Sequence, residues 1–234
     1  MQFSYKIEII CRVFVITNVQ LYTVAFGQVK PVKKPDTYYH QVQADSFQRM
    51  IEIKTLIPNI QYDLRYATKK NFTGTKLYKD GTKTFVRLPV ARALQKVQDE
   101  LNQKGYGLKI FDAYRPYGVT EKMWDLIHDE RYVANPKNGS GHNRGLAVDL
   151  TIISLKDGKE LNMGTGFDNF TDSAHQSFTA LPAEVLANRK LLKESMERSG
   201  FKALGTEWWH YSWPNDRNYE VLDIDFKKLR KYAH

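Results

Sequence analysis

Cysteine is almost missing from this chain. Its 234 residues contain one, Cys11, so no intrachain disulfide framework exists. Long apolar runs are nearly as scarce: beyond residues 7–26, IEIICRVFVITNVQLYTVAF, no stretch is long and apolar enough to span a bilayer. Internal repeats and low-complexity tracts are missing too. So are the marks of nucleic-acid binders: there is no RNA-recognition core, no zinc-finger spacing and no dense lysine/arginine stripe. The formal net charge of +9 therefore reads as a diffusely cationic surface, and no nucleic-acid partner is expected.

What is present is the composition of a globular protein, with 42% hydrophobic and 26% charged residues, enough for one substantial domain with a real core. Aromatics at 13% suggest aromatic-walled surfaces or pockets. Lys6 precedes the apolar run, and Ala25-Phe26-Gly27 places small residues where a signal peptidase reads. Residues 1–27 are thus expected to be a signal peptide. That would send a thiol-free mature chain to the periplasm or outside the cell, with no stable membrane insertion after cleavage. Glu8 and Arg12 interrupt the run, and a buried N-terminal element is the alternative. Residues 28–49 are polar, with Pro31, Pro35 and several lysines, and read as a loosely attached lead-in to a domain over 50–234.

Within that domain, IEIKTLIPNIQYDLRYAT suggests an extended segment broken at Pro58. VARALQKVQDELNQKG places Val90, Leu94, Val97 and Leu101 on one helical stripe, with Gly105 at its end. Further helices are expected over 117–132 and 183–199. Strands are expected at LKIFDAY, LAVDLTII and FKALGTEWWHYSW, the last turning at Gly205. The tail, VLDIDFKKLRKYAH, reads as a last strand or as frayed. Long helices mixed with short, locally paired strands give an α+β class: a compact single domain with a small, mostly antiparallel sheet packed by helices.

Six histidines are present, at 40, 128, 142, 175, 210 and 234, and two stand in settings that suggest ligation. In SGHNRGLAVDL, Asp149 lies between Val148 and Leu150. A carboxylate on a buried strand is costly unless it is paired or binds a metal. Gly145 permits a turn that folds His142 back towards it. EWWHY supplies His210 as a third ligand. Glu207 can converge with His210 only from the strand entry or a bulge, which Gly205-Thr206 allows. Two histidines and one aspartate leave a position open on zinc, the composition of a catalytic site. Glu207 is then placed to act as general base, and Arg115 in FDAYRP to stabilise an oxyanion. Each residue alone has a plainer reading: a loop histidine, a packed ring at 210, Asp149 paired with Arg144, Arg115 in a surface ion pair.

SGHNRGLAVDL, EWWHY and FDAYRP together resemble the motifs of the zinc D-alanyl-D-alanine peptidases, the group that includes the glycopeptide-resistance dipeptidases. YDLRYATKKNFTG, MGTGFDNF and NRKLLKESMERSGF resemble its dipeptidase branch, and the likeness covers roughly residues 50–213. The resemblance implies one zinc per chain held by His142, Asp149 and His210, Glu207 as base, and Arg115 at the oxyanion. It implies that Asp168 meets the free amino group of D-Ala-D-Ala, a carboxylate suiting an ammonium, and that Ser140 binds substrate near the metal. It also implies a compact α+β fold with an antiparallel sheet. Two departures fall at the pocket edge: a shorter stretch between Arg115 and His142, and Lys69-Lys70 where the resistance enzymes carry an acid. The rivals are a carboxypeptidase or endopeptidase on longer wall peptides and a non-catalytic zinc-containing wall-peptide binder. Asp168 and the YAT…NFTG block stand against the first, Glu207 and Arg115 against the second.

Overall fold

The strongest helical stripe in the sequence forms the backbone of the core. In this computed structural model, which describes residues 28–79 and 82–232, Val90, Leu94, Val97 and Leu101 are all fully buried. The expected signal peptide lies outside the described residues.

In chain order the elements begin with α1 (Pro35–Ala44), β1 (Met50–Glu52), α2 (Ile53–Leu56) and β2 (Gln61–Tyr62). Next come β3 (Phe85–Arg87), α3 (Leu88–Gln103), β4 (Tyr106–Asp112), α4 (Tyr117–Trp124) and α5 (Gly141–Arg144). The chain finishes with β5 (Ala147–Ser154), α6 (Ala183–Arg198), β6 (Lys202–Ala203), β7 (His210–Ser212) and α7 (Phe226–Arg230). β1 and β3 form a two-stranded antiparallel ribbon. The main sheet runs β2-β4-β5-β7-β6, parallel only between β2 and β4 and antiparallel elsewhere. α3 packs on β4, α6 packs on β5, and the two helices touch each other. This is the α+β class expected.

Register across the sheet builds the site. Asp112 on β4 lies opposite Asp149 on β5, and Asp149 lies opposite His210 on β7. An irregularity in β4 between Ile110 and Asp112 brings that carboxylate into the row. Cross-strand partners face the same side, so three polar residues far apart in sequence become neighbours.

Four expectations are corrected. The lead-in over 28–49 is not loosely attached: α1 buries Tyr38 and Val42 against Met50, Phe85, Tyr114 and the C-terminal segment as a second core. The Tyr38 hydroxyl accepts from the Met50 amide at 2.7 Å. Two buried residues on a mostly polar helix are too thin a pattern to show periodicity, and their partners are spread along the chain from Met50 to Leu229. The extended segment from 51 is cut into β1, α2 and β2. The helix expected to 132 ends at Trp124: past it only Ile127 packs inward, beside Met123, while Leu126 is 62% exposed, too little of an apolar face to carry the helix on. The tail is neither strand nor frayed: Val32 bridges Leu222, Ile224 is buried, and Asp225 caps α7 by accepting from the Lys227 amide.

Candidate active site

All seven residues singled out from sequence, Arg115, Ser140, His142, Asp149, Asp168, Glu207 and His210, line one cavity of about 280 Å³. Each arrives there for a local reason. Ser140 caps α5 in a reciprocal box: its hydroxyl accepts from the Asn143 amide at 3.1 Å, and its own amide donates to the Asn143 side chain at 2.9 Å. Gly145 ends that one-turn helix at φ +70, where a Cβ would stand 2.6 Å from the Met50 sulfur, so only glycine fits. The turn sends β5 back beneath His142. α5 is also bonded to the segment after β4. The Asn143 side chain donates to the Arg115 carbonyl at 2.9 Å, and the Arg115 amide donates to the His142 carbonyl at 3.2 Å. The two motifs around Arg115 and His142 are therefore one structural unit.

His142, Asp149 and His210 converge. His142 Nε2 lies 3.2 Å from His210 Nδ1 and 3.3 Å from Asp149 Oδ2, and His210 Nδ1 lies 2.9 Å from Asp149 Oδ1. The outer nitrogens are committed elsewhere: His142 Nδ1 is 2.7 Å from the Ala113 carbonyl, and His210 Nε2 is 3.2 Å from Ser212 Oγ. A carbonyl only accepts, so His142 carries its proton on Nδ1 and turns Nε2 inward. Burial alone would raise Asp149, but the two imidazoles outweigh it and hold this carboxyl well below the usual range. This trio is the one group among the described residues with the composition and convergence to hold a metal ion.

Glu207 reaches the site from the entry to β7, as the sequence allowed. Trp208 and Trp209 form a turn closed by the His210 amide on the Glu207 carbonyl, so positions three apart point the same way. Its carboxyl is pushed up to about 8, chiefly by burial; His210 pulls it down, while Asp149 and Asp168 add to the rise. Asp168 sits at φ 60, a conformation aspartate tolerates better than most residues. Its Oδ1 accepts from the Tyr66 hydroxyl at 2.9 Å, and its Oδ2 is buried with no partner. Burial pushes this carboxyl up to about 7, with the Tyr66 hydrogen bond opposing.

Arg115 is not in a surface ion pair. It is 7% exposed, and its Nε and Nη2 both donate to Asp112 Oδ2, at 3.0 and 2.8 Å. Burial works to lower this guanidinium, but the negative groups facing it, Asp112 first, carry it well above its ordinary value. Asp149 does not pair with Arg144, whose guanidinium instead donates to the Asn138 carbonyl. Lys69 and Lys70 are exposed and do not line the cavity. The short stretch before His142 does, through residues 130–134.

Sequence reading missed Asp112, Tyr66 and Tyr78. Asp112 is fully buried and also accepts from the Tyr78 hydroxyl at 2.8 Å. Tyr66 joins two parts of the site, bonding Asp168 while its ring lies 5.1 Å from the Arg115 guanidinium. The signal for Asp112 was present, a carboxylate three residues before the arginine. Tyr66 lies in a single 3₁₀ turn and Tyr78 outside any helix or strand, where no periodicity marks either.

A trio able to hold a metal, a buried carboxylate and a buried cation lie around one small cavity on an α+β sheet, a set of groups that suits a hydrolase. The profile of the D-ala-D-ala dipeptidase family matches residues 46–229. A D-alanyl-D-alanine dipeptidase of Escherichia coli (strain K12) is 32% identical over 177 residues, covering 76% of this chain and 91% of that protein. Another, of Enterococcus faecalis (strain ATCC 700802 / V583), is 31% identical over 177 residues, covering 67% and 87%. Among solved structures, the LdcB LD-carboxypeptidase is 20% identical with a TM-score of 0.40, covering 79% of this chain and 78% of its own. The chain belongs to the D-Ala-D-Ala dipeptidase family and is a peptidase.

Proposed function

We propose that this chain is a zinc dipeptidase that hydrolyses D-Ala-D-Ala. One observation carries the reading: His142 Nε2 and His210 Nδ1, 3.2 Å apart, each face one oxygen of Asp149, at 3.3 and 2.9 Å, in a dipeptide-scale cavity shared with Glu207 and the orphan oxygen of Asp168. Ligands at the usual distances around tetrahedral zinc stand roughly 3.3–3.5 Å apart. The donor set is therefore already gathered to nearly the right span, and its outer nitrogens hold the rings in place.

His142, Asp149 and His210 would hold the metal. When bound, zinc supplies Lewis acidity to a water and to the scissile carbonyl, and its positive charge lowers the neighbouring carboxyls. Glu207, pushed up by burial, is brought into the range of a base at neutral pH. It takes a proton from the attacking water as the new C–O bond forms, then gives it to the leaving amine as the C–N bond breaks. Arg115 faces the oxygen that gains charge. The substrate ammonium sits against Asp168 Oδ2, and Ser140, whose hydroxyl proton is not used in its cap, donates to substrate near the metal.

Phe72 and Tyr132 line the cavity that holds Asp168, and Phe170 backs both rings. Tyr132 stacks on Phe170 at 4.6 Å, and Phe72 contacts Phe170 at 5.3 Å. That wall favours a free dipeptide over a longer wall peptide. With its expected signal peptide the enzyme acts in the periplasm or outside the cell; among the described residues no helix is long and apolar enough to cross a membrane.

The test is D-alanine release from D-Ala-D-Ala and from an N-acetylated tripeptide ending in it, with zinc and after chelation. Zinc-dependent cleavage of the free dipeptide alone is expected. Cleavage of the blocked peptide instead makes the enzyme a carboxypeptidase. Silence on both with zinc bound makes the chain a binding module.

A further inference from the structure

The segment carrying Asp168 has almost no regular structure. Between Met163 and His175 its one element is a single tight turn at Asp172–Ala174. Yet Asp168 is held in a left-handed conformation with an unpartnered buried oxygen. Such a placement persists only when surrounding structure imposes it.

Arg189, on α6, supplies that constraint. Its Nε donates to the Met163 carbonyl at 2.8 Å, its Nη2 to Ser173 at 2.8 Å and its Nη1 to His175 at 3.2 Å. One guanidinium thus joins both ends of the loop. Arg189 is 5% exposed and forms no ion pair among the described residues. A buried cation with carbonyl partners alone is costly to keep for solubility or charge. Its planar fork matches several carbonyls in one fixed geometry, which the point charge of lysine does not. The loop fits closely around it: Gly164 runs at φ +82, and a Cβ there would stand 3.5 Å from Nη2 and 2.9 Å from Val185. A second tether comes from the turn that carries Glu207. Trp208 Nε1 donates to Thr165 Oγ1 at 2.8 Å, and the Trp208 amide donates to the Ala174 carbonyl at 3.0 Å.

We infer that Arg189 is a positioning residue for amino-terminal recognition. It does not line the cavity; it sets where Asp168 meets the substrate ammonium, and this rests on the dipeptidase reading. Loss of the clamp weakens capture of the amine and leaves His142, Asp149 and His210, on α5, β5 and β7, in place.

The experiment compares wild type with Arg189→Met and Arg189→Lys on D-Ala-D-Ala and on propionyl-D-Ala, which lacks the amine. Hydrogen exchange of the 163–175 amides is measured in the same zinc-loaded proteins. Arg189→Met is expected to raise KM for the dipeptide about tenfold or more, with kcat within about threefold and propionyl-D-Ala nearly unaffected. The loop amides should exchange faster while β5 and α6 stay protected, and Arg189→Lys should recover part of the loss. Equal losses on both substrates, or unchanged loop exchange, overturn the inference. Should Arg189→Met not fold, Arg189→Lys carries the same comparison with a smaller shift. A wild type that cleaves neither substrate refutes the dipeptidase reading, and the exchange arm still decides whether Arg189 holds the loop.

Discussion

Asp112 and Arg115 should behave as one unit, and their coupling is large enough to measure. Asp112 is fully buried and accepts three hydrogen bonds, two from Arg115 and one from the Tyr78 hydroxyl. Asp112→Ala takes both hydrogen bonds from a guanidinium that is itself 7% exposed, leaving it only the longer 3.9 Å contact to Asp149, and leaves Tyr78 without an acceptor. Breaking a buried pair by removing one partner costs about 3–5 kcal/mol. At roughly 2–4 °C per kcal/mol for a domain of this size, Tm should fall by about 10 °C. Removing both charges is far cheaper, because no unpaired ion is left. The double variant Asp112→Ala/Arg115→Met should therefore be more stable than Asp112→Ala alone, with a coupling of about 3 kcal/mol. Urea denaturation of the four metal-free proteins reads this cycle without interference from a bound ion. Single-variant costs that simply add would refute the claim that the buried carboxylate is there to hold the guanidinium. On the zinc-loaded enzyme, Arg115→Met should lower kcat by about 10²–10³-fold, the cost of one oxyanion donor.

Glu207→Gln should lower kcat by about 10²–10⁴-fold while metal content, read by atomic absorption, stays near one per chain; near-normal turnover would remove Glu207 as the base. For Asp168, the folded carboxyl is raised from 3.8 to about 7, so its contribution to stability is greatest below pH 4 and is lost as pH rises through 7. In the metal-free chain Asp168→Asn should thus gain stability over wild type between pH 5 and 8, by at most about 4 kcal/mol, while dipeptide KM worsens; parallel Tm–pH curves would contradict the assignment. Tyr38→Ala should cost about 3–5 kcal/mol in thermal or urea denaturation, as for a buried aromatic, and a negligible loss would return residues 28–49 to the status of a lead-in.

Much of the site was legible in sequence because its motifs are compact. His142 and Asp149 lie seven residues apart, Glu207 and His210 three apart, and the chemistry of each pair is visible without knowing the fold. α3 and β5 were legible for a related reason, since periodicity and an apolar run are local properties. α1 and the C-terminal segment were not, because Tyr38, Val42, Leu222 and Leu229 form a core only with one another's help across the length of the chain.

By itself the sequence determined which residues gather at the site, from Arg115 and His142 to Glu207 and His210, and the class of the fold. The tertiary structure decided how those parts meet. Strand register sets Asp112, Asp149 and His210 in one row, and the Asp168 loop takes its shape from an arginine and a tryptophan outside it. Residue type and short spacing are carried along the chain, whereas register, burial and an orphan oxygen arise only when distant segments pack.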